Sequence, residues 1–145
     1  MVTKWNKAFM RSAAEFGRLS HATRAKVGAV IVKDNTIISI GYNGMPSGWD
    51  NGCEYQTLNS RGQNATRTRP EVLHAESNAI TKVARSTQSC DGAEIYVTMA
   101  PCIECAKLIH QSGINKVYYA NDHLRSNDGI KFLEKCEIEV INVPI

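Results

Sequence analysis

Apolar positions recur at helical spacing near the start of the chain. Trp5, Ala8, Phe9, Ala13 and Phe16, with Ser12 among them, fall along one side of a helix over residues 4–18. Gly17 is its expected end signal. A polar link, Ser20 to Lys26, leads into the nearly continuous apolar run Val27 to Val32, which has the pattern of a strand buried on both faces. Lys33-Asp34-Asn35 makes a turn and Thr36 to Ile40 returns, so the two strands form an antiparallel hairpin. From Gly41 to Pro70 the periodicity stops. That stretch carries Pro46, Gly48, Gly52 and Gly62 and the basic residues Arg61, Arg67 and Arg69. A loop this long is expected over the functional site or at a subunit contact.

Pattern returns at His74 to Arg85, a helix, and Glu94 to Thr98, a strand. Pro101 opens the next helix, where proline is tolerated at the first position, and Gly113 caps its end. Lys116 to Tyr119 is a strand, Asp128 to Cys136 a short helix and Ile138 to Val143 a last strand. Helical crossovers between these later strands imply parallel pairing. The expected fold is α/β, a three-layer α/β/α sandwich around a five-stranded mixed sheet. Residues 1–145 are expected to form a single domain.

Composition narrows the picture a little. With 43% hydrophobic and 21% charged residues the chain is ordinary for a soluble protein. No stretch is apolar for long enough to span a bilayer, and Met1 to Phe9 does not have the form of a signal peptide. A cytoplasmic location is expected, where the five cysteines serve metals or packing rather than cross-links. The net charge of +3 suits a small anionic ligand and is too weak to argue for nucleic acid.

The chemistry gathers between His74 and Cys105. His74-Ala75-Glu76 and Pro101-Cys102-Ile103-Glu104-Cys105 match H-x-E followed by P-C-x-x-C, the pattern of zinc deaminases. One imidazole and two thiolates are good zinc donors, and three protein ligands leave a fourth position for water, as catalytic rather than structural zinc requires. Cys102 and Cys105, three apart in a first helical turn, share a face and gain from the helix dipole as anions. Glu76, two residues from His74, is placed to move protons for a hydrolysis that needs no cofactor besides one zinc per chain. Two other readings compete. C-x-x-C is also a redox motif, and a structural zinc could borrow Cys53 or Cys90 as a fourth ligand, although that leaves Glu76 without a role.

These motifs, together with Arg24 to Val32, Gly41-Tyr42-Asn43-Gly44-Met45-Pro46-Ser47-Gly48 and the stretch from Tyr96 to Gly113, resemble the cytidine deaminase superfamily and within it the deoxycytidylate (dCMP) deaminases of the phage type. The resemblance runs from about Arg24 to the end of the chain. It implies a cytidine deaminase-like fold and hydrolysis of dCMP to dUMP, which feeds thymidylate synthesis. It also implies a homohexamer in the cytoplasm (a host's, if the source is viral), activated by dCTP with Mg2+ and inhibited by dTTP. By matched position, His74, Cys102 and Cys105 hold zinc and Glu76 shuttles protons. The Ala75 N–H binds the cytosine carbonyl, and Asn43 binds sugar or effector within the effector-contacting Gly41, Tyr42, Asn43 and Gly44. Arg24 and Lys26 are candidates for the phosphate, partly on charge. Tyr118, Tyr119 and Arg125 are candidates to line the pocket, with core packing the role of at least one tyrosine. No second, structural zinc is expected, because Cys53 stands alone and residues 54–73 contain no histidine. The rival activities are deamination of dCTP as well as dCMP, deamination of bases in nucleic acid, and zinc-stabilised binding without turnover. A polynucleotide enzyme would carry a stronger basic or aromatic track.

Overall fold

The apolar run after Lys26 forms β1 (Gly28–Lys33), buried along almost its whole length. It turns through Asp34 and Asn35, both at positive φ (51° and 61°), into β2 (Thr36–Tyr42). Two consecutive positive-φ residues are what a tight two-residue hairpin needs, and Asp and Asn tolerate that region. The computed structural model describes residues 1–145. Before β1 lies α1 (Lys4–Gly17). After β2 come β3 (Glu54–Leu58), β4 (Asn64–Thr68), α2 (Ala75–Ala84), β5 (Glu94–Met99) and α3 (Ile103–Gln111). The chain ends with β6 (Lys116–Asn121), α4 (Asp128–Lys135) and β7 (Glu139–Asn142).

Five strands make one mixed sheet in the order β2-β1-β5-β6-β7. β1 is antiparallel to β2 and β5, whereas β5, β6 and β7 run parallel through the α3 and α4 crossovers. Alternation along β1 feeds two cores. Ala29 and Ile31 meet Ala75, Ala79 and Val83 of α2, Ala106 and Ile109 of α3 and Leu133 of α4. Val30 and Val32 meet Phe9, Met10 and Ala13 of α1 and the stacked pair Tyr96–Tyr118. The result is the expected α/β/α layering, with one helix on one face and three on the other. Each fully buried Ile, Val or Leu here contributes roughly 1.5–3 kcal/mol. No helix is long and apolar enough to cross a membrane.

Two local expectations need correction, and one holds for a different reason. Gly17 is the last residue of α1, as expected, although the cap that follows at Arg18 is right-handed (φ −65°) rather than a left-handed turn. Its role is contact: a Cβ on Gly17 would lie 2.8 Å from the Gly28 nitrogen, and one on Gly28 would overlap the Ala13 carbonyl. The glycine pair lets α1 lie directly on β1. Pro101 does not open α3, which starts at Ile103 with Cys102 as its N-cap. The Cys102 sulfur accepts from the Cys105 N–H at 3.5 Å and so takes the capping role a serine would normally have. Gly113 does follow α3 at positive φ (90°), as expected of a helix-terminating glycine.

The second correction is the aperiodic segment. It contains β3 and β4, a separate two-stranded antiparallel hairpin in which Glu54 pairs with Thr68 and Leu58 with Asn64. Neither strand packs on a core, and most of its residues are exposed.

Candidate active site

The N-termini of α2 and α3 converge beside the end of β5, and each contributes its N-cap residue. His74 caps α2 with extended backbone (φ −80°, ψ 155°), yet its ring makes no capping hydrogen bond. The imidazole is turned instead to the two cysteines: Nδ1 lies 3.7 Å from Cys102 Sγ and 3.3 Å from Cys105 Sγ. All three donor atoms lie within 4.8 Å of one another. A tetrahedral zinc with ordinary Zn–N and Zn–S bonds would set N···S separations of roughly 3.5 Å, so the donors already stand at ligand spacing. Two sulfurs and one imidazole are also the donor types zinc prefers.

Charge within the triad fits the same reading. The Cys102 thiol is pushed down to about 3, first by hydrogen bonding with Cys105 and then by His74. Cys105 is pushed up by the same contact with Cys102, by burial and by the Glu76 charge. His74 is raised, chiefly by its hydrogen bond to Cys102. Two sulfurs this close disfavour two negative charges at once, and a divalent cation is what would allow both to be thiolates.

Glu76, in the first turn of α2, is 4% exposed. Burial is the main cause that raises its carboxyl to about 7. Such a group can both accept and release a proton near neutrality. The neighbouring Ala75 is the first residue of α2, so its N–H has no partner inside the helix.

A cavity of about 300 Å³ opens onto these residues. Its buried floor comprises Ala75, Glu76 and Ala100, with His74 and Cys102 at the triad. Its more exposed rim comes from three separate places: Arg24 before β1, Glu54 and Thr68 of the hairpin, and His123, Leu124 and Arg125 after β6. Asn43 and Val27 complete the side wall. Of the residues singled out from the sequence, His74, Ala75, Glu76, Cys102, Arg24, Asn43 and Arg125 thus line one cavity, with Cys105 directly behind His74 and Cys102. Lys26 is exposed and lies outside the lining. Tyr119 is outside it too, half-buried against the core beneath α2, α3 and α4, while Tyr118 stacks on Tyr96 on the other face. Cys53 is buried away from the triad, its Sγ 3.5 Å from the Asn51 carbonyl.

The Asn43 amide is tied on both sides. Its Oδ1 accepts from the Val27 N–H at 2.8 Å and its Nδ2 donates to the Ala25 carbonyl at 2.8 Å. It therefore fixes the segment that carries Arg24, leaving one amide hydrogen and one lone pair for other partners. Asn43 also borders a second cavity of about 580 Å³, along with Tyr42, Gly44, His21, Lys82 and Arg85. Gly41 lies beneath α2, where a Cβ would overlap the Ala75 carbonyl.

Glu54, Thr68, His123 and Leu124 carry no motif, and only their tertiary placement marks them. Gly129 in α4 belongs with them: a Cβ there would overlap the Pro101 carbonyl, so α4 rests directly on the loop that presents Cys102. Gly129→Ala should shift that loop, destabilise the fold by about 1–3 kcal/mol and weaken zinc retention. Thermal melting with zinc analysis checks this, and an unchanged protein would show that the contact is slack.

A zinc-type triad with a buried carboxylate at the floor of a cavity in an α/β/α sandwich defines a deaminase-like metalloprotein. Residues 3–121 match the family model described as the cytidine and deoxycytidylate deaminase zinc-binding region, and the chain belongs to that family. It is 37% identical to the deoxycytidylate deaminase of Enterobacteria phage T4, over 82% of this chain and 79% of that one. It is also 37% identical to the deoxycytidylate deaminase of Homo sapiens, over 96% and 85% respectively. The crystal structure of dCMP deaminase from the cyanophage S-TIM5, in complex with dCMP and dUMP, superposes with a TM-score of 0.87 at 42% identity, covering 99% of both chains.

Proposed function

We propose that this chain, acting as one zinc deaminase domain, hydrolyses dCMP to dUMP and ammonia. The observation that carries the reading is the buried Glu76 carboxyl beside the His74–Cys102–Cys105 triad on the floor of a nucleotide-sized cavity. The similarity to a phage enzyme crystallised with dCMP and dUMP supports the choice of nucleotide.

Zinc held by His74, Cys102 and Cys105 supplies Lewis acidity that makes a water acidic at neutral pH. The chain's own groups do the rest. The Ala75 N–H donates to the cytosine carbonyl and orients the ring. Glu76 takes the proton that the attacking water gives up and passes it to the ring nitrogen. It then delivers the second water proton to the departing amine, so that one water is consumed and one ammonia leaves. Arg24, which forms no ion pair and donates from Nη1 to Thr68 Oγ1 at 3.3 Å, receives the 5′-phosphate with Arg125.

Regulation belongs to the same reading. The second cavity, with Lys82, Arg85 and His21 beside Tyr42, Asn43 and Gly44, suits a nucleotide polyphosphate. We assign it to dCTP, with Mg2+, as activator and dTTP as inhibitor, in a cytoplasmic homohexamer. Asn43 borders both cavities, so an effector there can bias the segment that holds Arg24.

The test is deamination of a panel: dCMP, CMP, dCTP and a single-stranded oligonucleotide, each with and without dCTP or dTTP at effector concentration. dCMP is expected to be the preferred substrate, with a sigmoidal concentration curve that dCTP makes hyperbolic. Arg24→Ala is expected to raise KM for dCMP at least tenfold, the loss of one charge-assisted contact of about 1.5–3 kcal/mol. Preference for the oligonucleotide would overturn the substrate assignment, and a curve indifferent to both effectors would overturn the regulation.

A further inference from the structure

The cavity holds a second carboxylate that the reaction does not use. Its lining contains only two acids, Glu76 on the floor and Glu54 at the rim. An acid at the mouth of a cavity that takes an anionic substrate needs a reason. Glu54 sits at the start of β3, paired with Thr68 of β4. Its Oε2 accepts from the backbone N–H of Thr23 at 3.0 Å and of Arg24 at 3.2 Å. The carboxylate is thus fixed against the backbone of the residue whose side chain reaches for the phosphate. It does not neutralise that side chain, since the Arg24 guanidinium makes no ion pair and bonds Thr68 instead. The rim therefore carries Arg24 and Arg125 together with one negative charge held by two hydrogen bonds against the Thr23–Arg24 backbone.

We propose that Glu54 is a specificity-determining residue that limits the cavity to nucleoside monophosphates. This rests on the reading of the cavity as a dCMP site. A single phosphate can pair with the guanidiniums and leave the carboxylate undisturbed. A di- or triphosphate extends past Arg24 and brings further negative charge against Glu54, which cannot move away without releasing two backbone N–H groups. Like charges held close together at the rim disfavour the longer chain. The hairpin, which has no core of its own, is on this account the element that delivers the charge.

Glu54→Gln isolates the charge, because the amide oxygen still accepts from both N–H groups. Glu54→Ala removes charge and anchor together. Deamination of dCMP and dCTP is measured by direct quantification of dUMP and dUTP, with zinc content and melting temperature as checks on folding. Glu54→Gln is expected to raise the dCTP-to-dCMP ratio of kcat/KM by about tenfold. Glu54→Ala is expected to raise the same ratio and also the KM for dCMP, because Arg24 loses its support. An unchanged ratio in Glu54→Gln overturns the proposal, and so does a ratio that rises only in Glu54→Ala, which would assign the effect to bulk. A parent protein that does not deaminate dCMP would instead sink the reading beneath it, and that is seen before any variant is made.

Discussion

Glu76→Gln is expected to lose about 10²–10⁴-fold in kcat on dCMP, the usual contribution of a positioned general acid–base, while its zinc stays bound. The reason lies in where the carboxyl sits. It is buried in the first turn of α2 and raised to about 7 by that burial, so it is poised to take a proton and return it. Glutamine fills the same space and cannot do either. Because Glu76 is not one of the three donors, the metal should be held as before. Zinc analysis and steady-state kinetics on one preparation check this. A variant that turns over dCMP near the parent rate would remove Glu76 from the mechanism.

The second large effect concerns the metal. Cys105→Ala takes away a buried sulfur that lies 3.3 Å from His74 Nδ1, leaving two donors, one imidazole and one thiolate. Activity should fall to background and zinc to a trace. The fold should weaken as well, because a ligand that binds only the native state stabilises it by mass action. Zinc at a thousandfold excess over its Kd adds about 4 kcal/mol, which for a chain of this size is roughly 10 °C in melting temperature. Chelation of the parent should reproduce both losses. Cys53→Ser should change neither zinc content nor activity, since Cys53 lies apart from the triad. A second equivalent of zinc that disappears with Cys53→Ser would contradict a single site per chain.

Much of this molecule was legible in the residues. β1 declared itself by a run apolar on both faces, and the helices by the spacing of their buried positions. The triad was legible because zinc chemistry restricts donors to few residue types, and helix N-termini favour short, recognisable spacings. The β3–β4 hairpin was not. Strand periodicity reflects one face in a core and one in water, and Glu54 to Thr68 has neither face in a core. Only the placement of the segment over the site could be anticipated, and Glu54 and Thr68 do reach the cavity. The rim residues His123 and Leu124 were hidden for a similar reason: they share a cavity with Arg24 across sequence separations that no local pattern reports. Gly17 ends α1 as its position suggests, but its close contact with β1 through Gly28 was not legible, because that packing is tertiary. Cys102 lay at the edge of what spacing can resolve, one residue outside α3 rather than within it.

We propose that water, activated at the His74–Cys102–Cys105 site and deprotonated by Glu76, replaces the amino group of dCMP. This is tested most directly by turning over dCMP in heavy-oxygen water and weighing the dUMP formed. One heavy oxygen is expected in each dUMP, at the former amine carbon, with one ammonia released per turnover and both slowed about 10²–10⁴-fold in Glu76→Gln. A zinc-loaded protein that leaves dCMP unchanged, or that yields dUMP without solvent oxygen, would contradict it.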